Sequence, residues 1–362
     1  MTNGFNRFNK SWGSSGLLDD PTDPQADAGW AYIGQAPPTV EQFNSVEQWG
    51  DDRFNWLYNQ IANVITASGG APSAADLNGL LDAIQLLGRK RLTADFTINI
   101  SPTGSDTTGD GSASKPFASL TYAWGYANRY LDLNGHNLTY KLAPGNYQGA
   151  LLEGTPLGLG SSNSIVIAGT LNNPADVVIN SVINPTAGND WFLWCEQTRV
   201  VLQDLTLGDG SYTPLESIVV VNSNVNYNRI HFGAVQYCLH VATGGICTQL
   251  QTATITGPYS QGFIWASSGG AFFFGNTLQP PPTLIYNVAC TAGAGHFYSI
   301  NSGETNIDQR SAFSGAGFAG CTGRKYDVDY NGIINSGSFA LTGLPGNQAG
   351  IRQRGGQDGT IP

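Results

Sequence analysis

One recurring pattern, h-x-h-x-x-h-x-h with h an inward-facing residue, constrains this chain more than any other feature. Val200, Leu202, Leu205 and Leu207 fit it, and Val225, Tyr227, Ile230 and Phe232 repeat it 25 residues later. Thr248, Leu250, Ala253 and Ile255 give a third copy shifted by 23, and Thr283, Ile285, Val288 and Cys290 a fourth shifted by 35. A period near 23, with two polar residues breaking each apolar pair, is what one coil of a parallel β-helix requires. Short strands point side chains inward and the break turns a corner. Asp204 and Asn228 fall at that corner, where their side chains can bond the bent backbone. The extra length before the fourth copy contains Pro280, Pro281 and Pro282, which cannot join a ladder and should form a loop. The pattern does not run cleanly through 305–335. The expected fold is mainly β, a parallel β-helix or solenoid over 91–339, with a Gly-rich tail at 340–362.

Such a solenoid has an open first coil that must be shielded from edge pairing. Phe96, Ile98 and Ile100 alternate as a strand, and the polar loop 101–118 then leads to Ser119, a helix cap. The helix it starts carries Leu120, Ala123, Trp124, Ala127 and Leu131 on one side, as a lid over that coil would. Leu138, Tyr140 and Leu142 resume the strand pattern up to a turn at Pro144-Gly145.

The chain before residue 91 has a different period. Thr39 and Gln42 form a capping box, and Phe54, Leu57, Ile61 and Val64 share one helical face, with Gly50 a candidate break. Ser73 and Asp76 then restart a helix with a stripe of Leu77, Leu80, Leu81, Ile84 and Leu87. This helical hairpin, 39–90, buries little alone, so its stripe packs on other copies of the chain or on the β-region C-terminal to it. Residues 1–38 show no period but carry spaced aromatics, Trp12, Trp30 and Tyr32 among them, as an extended arm docking on a partner would.

Only 12% of residues are charged and the net charge is -10. That balance argues against nucleic acid and anionic membranes, which are bound through a surplus of Lys and Arg. No apolar run is long enough for a signal peptide or a membrane span, so a soluble product of the cytoplasm is expected. The five cysteines match no metal spacing and no even disulfide framework, and are read as buried free thiols. His231, Cys238 and His240 have a spacing that could in principle ligate a metal, but no metal or cofactor is expected.

The run ISPTGSDTTGDGSASKPFASLTYAWGYAN, with LAPGNYQG after it, resembles the entry of pectate-lyase-like right-handed β-helix proteins. GCTGRKYDVDYNGIINSGS followed by TGLPGNQAG resembles the close of the β-helix in bacteriophage tail fibre and tailspike proteins. A block like PSAADLNGLLDAIQLL also recurs near the virion-proximal end of such fibres. The resemblance implies a right-handed helix, a homotrimer, a virion location with the N-terminal region on the phage tail or baseplate, and a β-helix facing the host surface.

Members of that group also cleave surface polysaccharide, which takes two carboxylates flanking the scissile bond. Between Glu216 and Glu304 there is no Asp or Glu, so the central coils cannot supply the pair within one subunit. A pair remains open among Asp190, Glu196, Asp204, Asp209 and Glu216, or among Glu304, Asp308, Asp327 and Asp329. Spacing suggests no Ser, His and Asp arrangement, and no catalytic residue is assigned. Tyr259 and Trp265, set among hydroxyl and amide side chains, are the candidate glycan-stacking residues. The function read from the sequence is a tail fibre or tailspike that contacts host polysaccharide. Alternatives are a depolymerase on the same scaffold and a fibre carrying another receptor-binding protein.

Overall fold

The computed structural model describes residues 22–28, 37–67, 88–181, 190–275 and 281–359, with single residues 17, 19, 33, 80 and 84. The chain divides into two compact units, Met1–Lys90 and Arg91–Pro362. In the first, one helix runs from Val40 to Ala67 without interruption, so Gly50 does not break it. Its start is the expected capping box: the Thr39 amide donates to Gln42 Oε1 at 3.1 Å and the Gln42 amide to Thr39 Oγ1 at 3.2 Å. Val40, Phe43, Val46, Trp56 and Leu57 remain exposed on it. The second expected helix lies largely outside the described residues.

The second unit is mainly β, with long sheets whose strands all pair in parallel, an arrangement compatible with a solenoid. Most of its strands fall into three runs, with short pairs such as Thr291–Ala292 and Thr322–Gly323 apart from them. The first includes Phe96–Ile100, Leu138–Leu142, Ile246–Gln249 and Ala271–Phe274. The second includes Val177–Ser181, Thr252–Ile255 and Thr283–Tyr286. The third is an eight-stranded sheet from Ala150–Glu153 to Ile351–Arg352. Two long strands, Arg199–Leu207 and Asn224–Phe232, bend in the middle and so belong to the first two runs at once.

The bend is the corner expected from the sequence, with one change. Gln203 pairs with Asn228, and the residues in the left-handed region are Asp204 (φ 58°) and Arg229 (φ 52°). The stacked corner residue is therefore Arg229 rather than Asn228. Its guanidinium takes both oxygens of the buried Asp204 carboxylate, Nη2 to Oδ2 at 2.7 Å. The same carboxylate accepts from the Asn172 amide at 2.9 Å, so one side chain ties three turns of chain together.

The register advances 25 residues from Val200 to Val225, 22 to Cys247, 25 to Phe272 and 33 to Thr305. Two parts of the sequence frame are thereby corrected. Cys247 and Gln249, not Thr248 and Leu250, face inward in the third layer, because its corner holds one more residue. Leu284 and Tyr286, not Thr283 and Ile285, are the buried pair of the Pro-flanked strand, which belongs to the second run. The core these residues build is continuous and largely aromatic. Phe232, Phe263 and Phe272 meet edge to face at 5.8 and 6.3 Å, and burying each ring contributes roughly 1.5–3 kcal/mol.

The Leu120–Tyr130 helix covers the start of the eight-stranded sheet, where Trp124 Nε1 and Asn128 Nδ2 both donate to the Glu153 carbonyl. Leu120, Ala123, Trp124 and Ala127 are its buried face, as the periodicity predicts. At the other end, Ile351–Arg352 and Gln357–Gly359 add a last strand to each long sheet. The stretch expected as a tail from 340 therefore contributes a final layer.

Candidate functional site

The eight-stranded sheet presents the most chemically varied surface of the second unit. On several of its strands two consecutive residues turn inward, as in Phe192-Leu193, Cys238-Leu239 and Phe263-Ile264. That doubling breaks strict alternation and puts the residue after each pair on the outer face. In register Trp194, His240 and Trp265 join Tyr298 and the buried Val219 and Asp327 in a column crossing six strands. Strand spacing of about 4.8 Å sets the rise of the column. Trp191 and Trp194 meet at 4.6 Å, and Tyr237 lies 5.1 Å from Trp265.

At its centre, the His240 ring lies flat against Trp265, with centroids 3.9 Å apart and 2° between planes. His240 Nδ1 is 2.7 Å from Glu216 Oε1, and Nε2 is 3.0 Å from Ser267 Oγ. A carboxylate only accepts, so Nδ1–H donates to Glu216; in the neutral ring Nε2 then accepts the Ser267 hydroxyl proton. Glu216 and Ser267 are buried and His240 is half-buried. Three adjacent layers supply the three residues. Their separations, 24 and 27, are the layer step, which is the signal that sequence reading missed.

Of the residues singled out in the sequence, Trp265 stands half-buried in this column. Tyr259 does not: it is 1% exposed, donates to His296 Nδ1 and bonds Tyr286 Oη at 3.1 Å, so it is a core residue closed to any ligand. Trp12, Trp30 and Tyr32 lie outside the described residues. Cys238 is buried in the core while His231 and His240 sit on different sheets, so their spacing assembles no ligand set. All five cysteines are free and buried.

The carboxylates are mostly committed. Asp190 takes Tyr212 Oη and the Leu215 amide, Glu196 takes Trp194 Nε1 at 3.0 Å, and Asp308 pairs with Arg310 at 3.0 Å. Asp209 is held down to about 2 by Ser211 and Asn180 and lines a groove of about 580 Å³ that also holds His231. Asp327 and Asp329 stand two residues apart at the C-terminal end of the eight-stranded sheet. Burial raises the Asp327 carboxyl above its ordinary value against the pull of Gln353 and Arg324, the latter at 2.9 Å. Asp329 is clamped by Arg354, whose guanidinium also lies 3.9 Å over the Tyr330 ring.

Family models, curated proteins and solved structures give no match to this chain. Among the described residues no helix is long and apolar enough to cross a membrane.

Proposed function

We propose that the chain is a bacteriophage tail fibre or tailspike subunit, a right-handed parallel β-helix that assembles as a homotrimer. Its N-terminal region attaches to the tail or baseplate, and its outer aromatic column contacts polysaccharide on the host surface. The observation that carries the reading is the column itself. Half-buried Trp194, Trp265 and Tyr298, held in register on a sheet of parallel strands, offer the apolar ring surface left uncovered by Trp191 and His240 beside hydroxyl and carboxylate groups. Sugars are bound by that combination, stacking through their C–H faces and hydrogen-bonding through their hydroxyls. The resemblance of the close of the β-region, and of the helical block before it, to phage fibres supplies the setting.

A second reading, depolymerisation on the same scaffold, has the Asp327 and Asp329 pair in its favour. Burial raises the Asp327 carboxyl above its ordinary value although Arg324 pairs with it, while Asp329 two residues on is clamped by Arg354; two carboxylates in unlike surroundings are what separate acid and base roles draw on.

The test is a panel of bacterial surface polysaccharides, with bound protein and new reducing ends followed together. Binding that falls at least tenfold in Trp265→Ala, but not in a control at exposed Tyr122, is the expected result. New ends that vanish in Asp327→Asn would establish the second reading. No binding across a panel that includes the host's own polysaccharide would leave a connector carrying another receptor-binding protein.

A further inference from the structure

We propose that Glu216, His240 and Ser267 form a hydrolytic relay for acyl esters, and that O-acylated sugars presented to the aromatic column are the substrate class. The sugar part of this inference rests on the glycan reading above; the relay rests on geometry alone.

Three features of the geometry point to chemistry. The groups stand in the order acid, imidazole, hydroxyl, with the carboxylate on Nδ1 and the hydroxyl on Nε2, at 2.7 and 3.0 Å. This polarity lets the ring accept the hydroxyl proton while the carboxylate stabilises the imidazolium. Trp265, stacked flat on the ring, fixes its plane and keeps water off one face. Ser267 is the last residue of its strand, and the next two, Ser268 (φ 50°) and Gly269 (φ 77°), make an exposed left-handed corner. Empty space lies where a Cβ on Gly269 would stand. The Gly270 amide closes this corner on the Ser267 carbonyl at 2.8 Å, which holds Ser267 at the edge of the open space from which an acyl group would approach.

The step balances without any group beyond water. Ser267 Oγ bonds to the acyl carbon as its proton passes to His240 Nε2. The tetrahedral centre expels the sugar alkoxide, which leaves with that proton as a free hydroxyl. A water molecule, deprotonated by the same nitrogen, attacks the acyl-serine; the carboxylic acid departs and the proton returns to Oγ.

The experiment uses the full chain with p-nitrophenyl acetate and glucose pentaacetate, measuring p-nitrophenolate and acetate release. A fluorophosphonate probe with peptide mass mapping runs in parallel. Expected are a label on Ser267, at least a hundredfold loss of release in Ser267→Ala, and at least tenfold in Glu216→Gln. Polysaccharide binding should persist in Ser267→Ala. An unlabelled Ser267, or release by a folded Ser267→Ala equal to the parent, overturns the relay. Ester hydrolysis that Trp265→Ala leaves intact for both esters, in a protein that binds no polysaccharide, overturns the sugar assignment.

Discussion

At the scale of single residues, the core holds polar groups whose partners are built into neighbouring layers. His296 is fully buried; its Nε2–H donates to the Thr322 carbonyl at 3.0 Å, which leaves Nδ1 to accept from Tyr259, whose oxygen in turn accepts from Tyr286. Burial drives the imidazole down to about 4, with Lys325 adding to the push. The unfolded chain takes up a proton near pH 6.5 that the folded chain refuses until about pH 4. Stability is thus full above pH 6.5 and falls between 6.5 and 4, by about 3 kcal/mol from this residue. Urea midpoints measured across that range should slope in the parent and be flatter in His296→Gln; parallel curves would exclude His296 as the source. Gln249 makes the same point without a charge. It is fully buried, accepts from Tyr227 Oη at 2.9 Å and donates to the carbonyls of Gln251 and Thr283.

At the scale of elements, the loop 101–118 braces the helix after it. Asp106 accepts from the Ala118 and Ser119 amides at 2.8 and 3.1 Å and from Ser119 Oγ at 2.6 Å, while Ser119 Oγ caps the Tyr122 amide. Asp106→Ala should therefore cost about 1–2 kcal/mol in urea unfolding, and Ser119→Ala about 1 kcal/mol. A double variant no worse than the single ones would show that the two act as one unit. The cap at Ser119, the helix face and the strands at Phe96 and Leu138 were legible because each rests on local periodicity. The layer-to-layer frame was legible where corners keep one length, at Val200–Leu207 and Val225–Phe232. It slipped at Cys247, where one added corner residue exchanges the inside and outside of a strand. The candidate site was hidden for a related reason. Doubled inward residues such as Cys238-Leu239 erase the period-two signal in the sheet that carries Glu216, His240 and Ser267.

At the scale of the molecule, a homotrimer of 38.3 kDa chains should sediment at about 115 kDa. Replacing exposed Phe43 and Leu57 by Asp should return it to the single-chain mass; a parent at that mass would dismiss the trimer. Among the described residues, the strands of every internal layer of the β-region pair with the layers before and after it. That one-dimensional connectivity has a mechanical meaning. Tension drawn across successive layers loads their hydrogen bonds in series, so the weakest boundary yields first and its neighbours hold. Each yielding layer releases about 25 residues, on the order of 85 Å of slack. A fold of this design absorbs a sudden tug by lengthening in instalments instead of snapping.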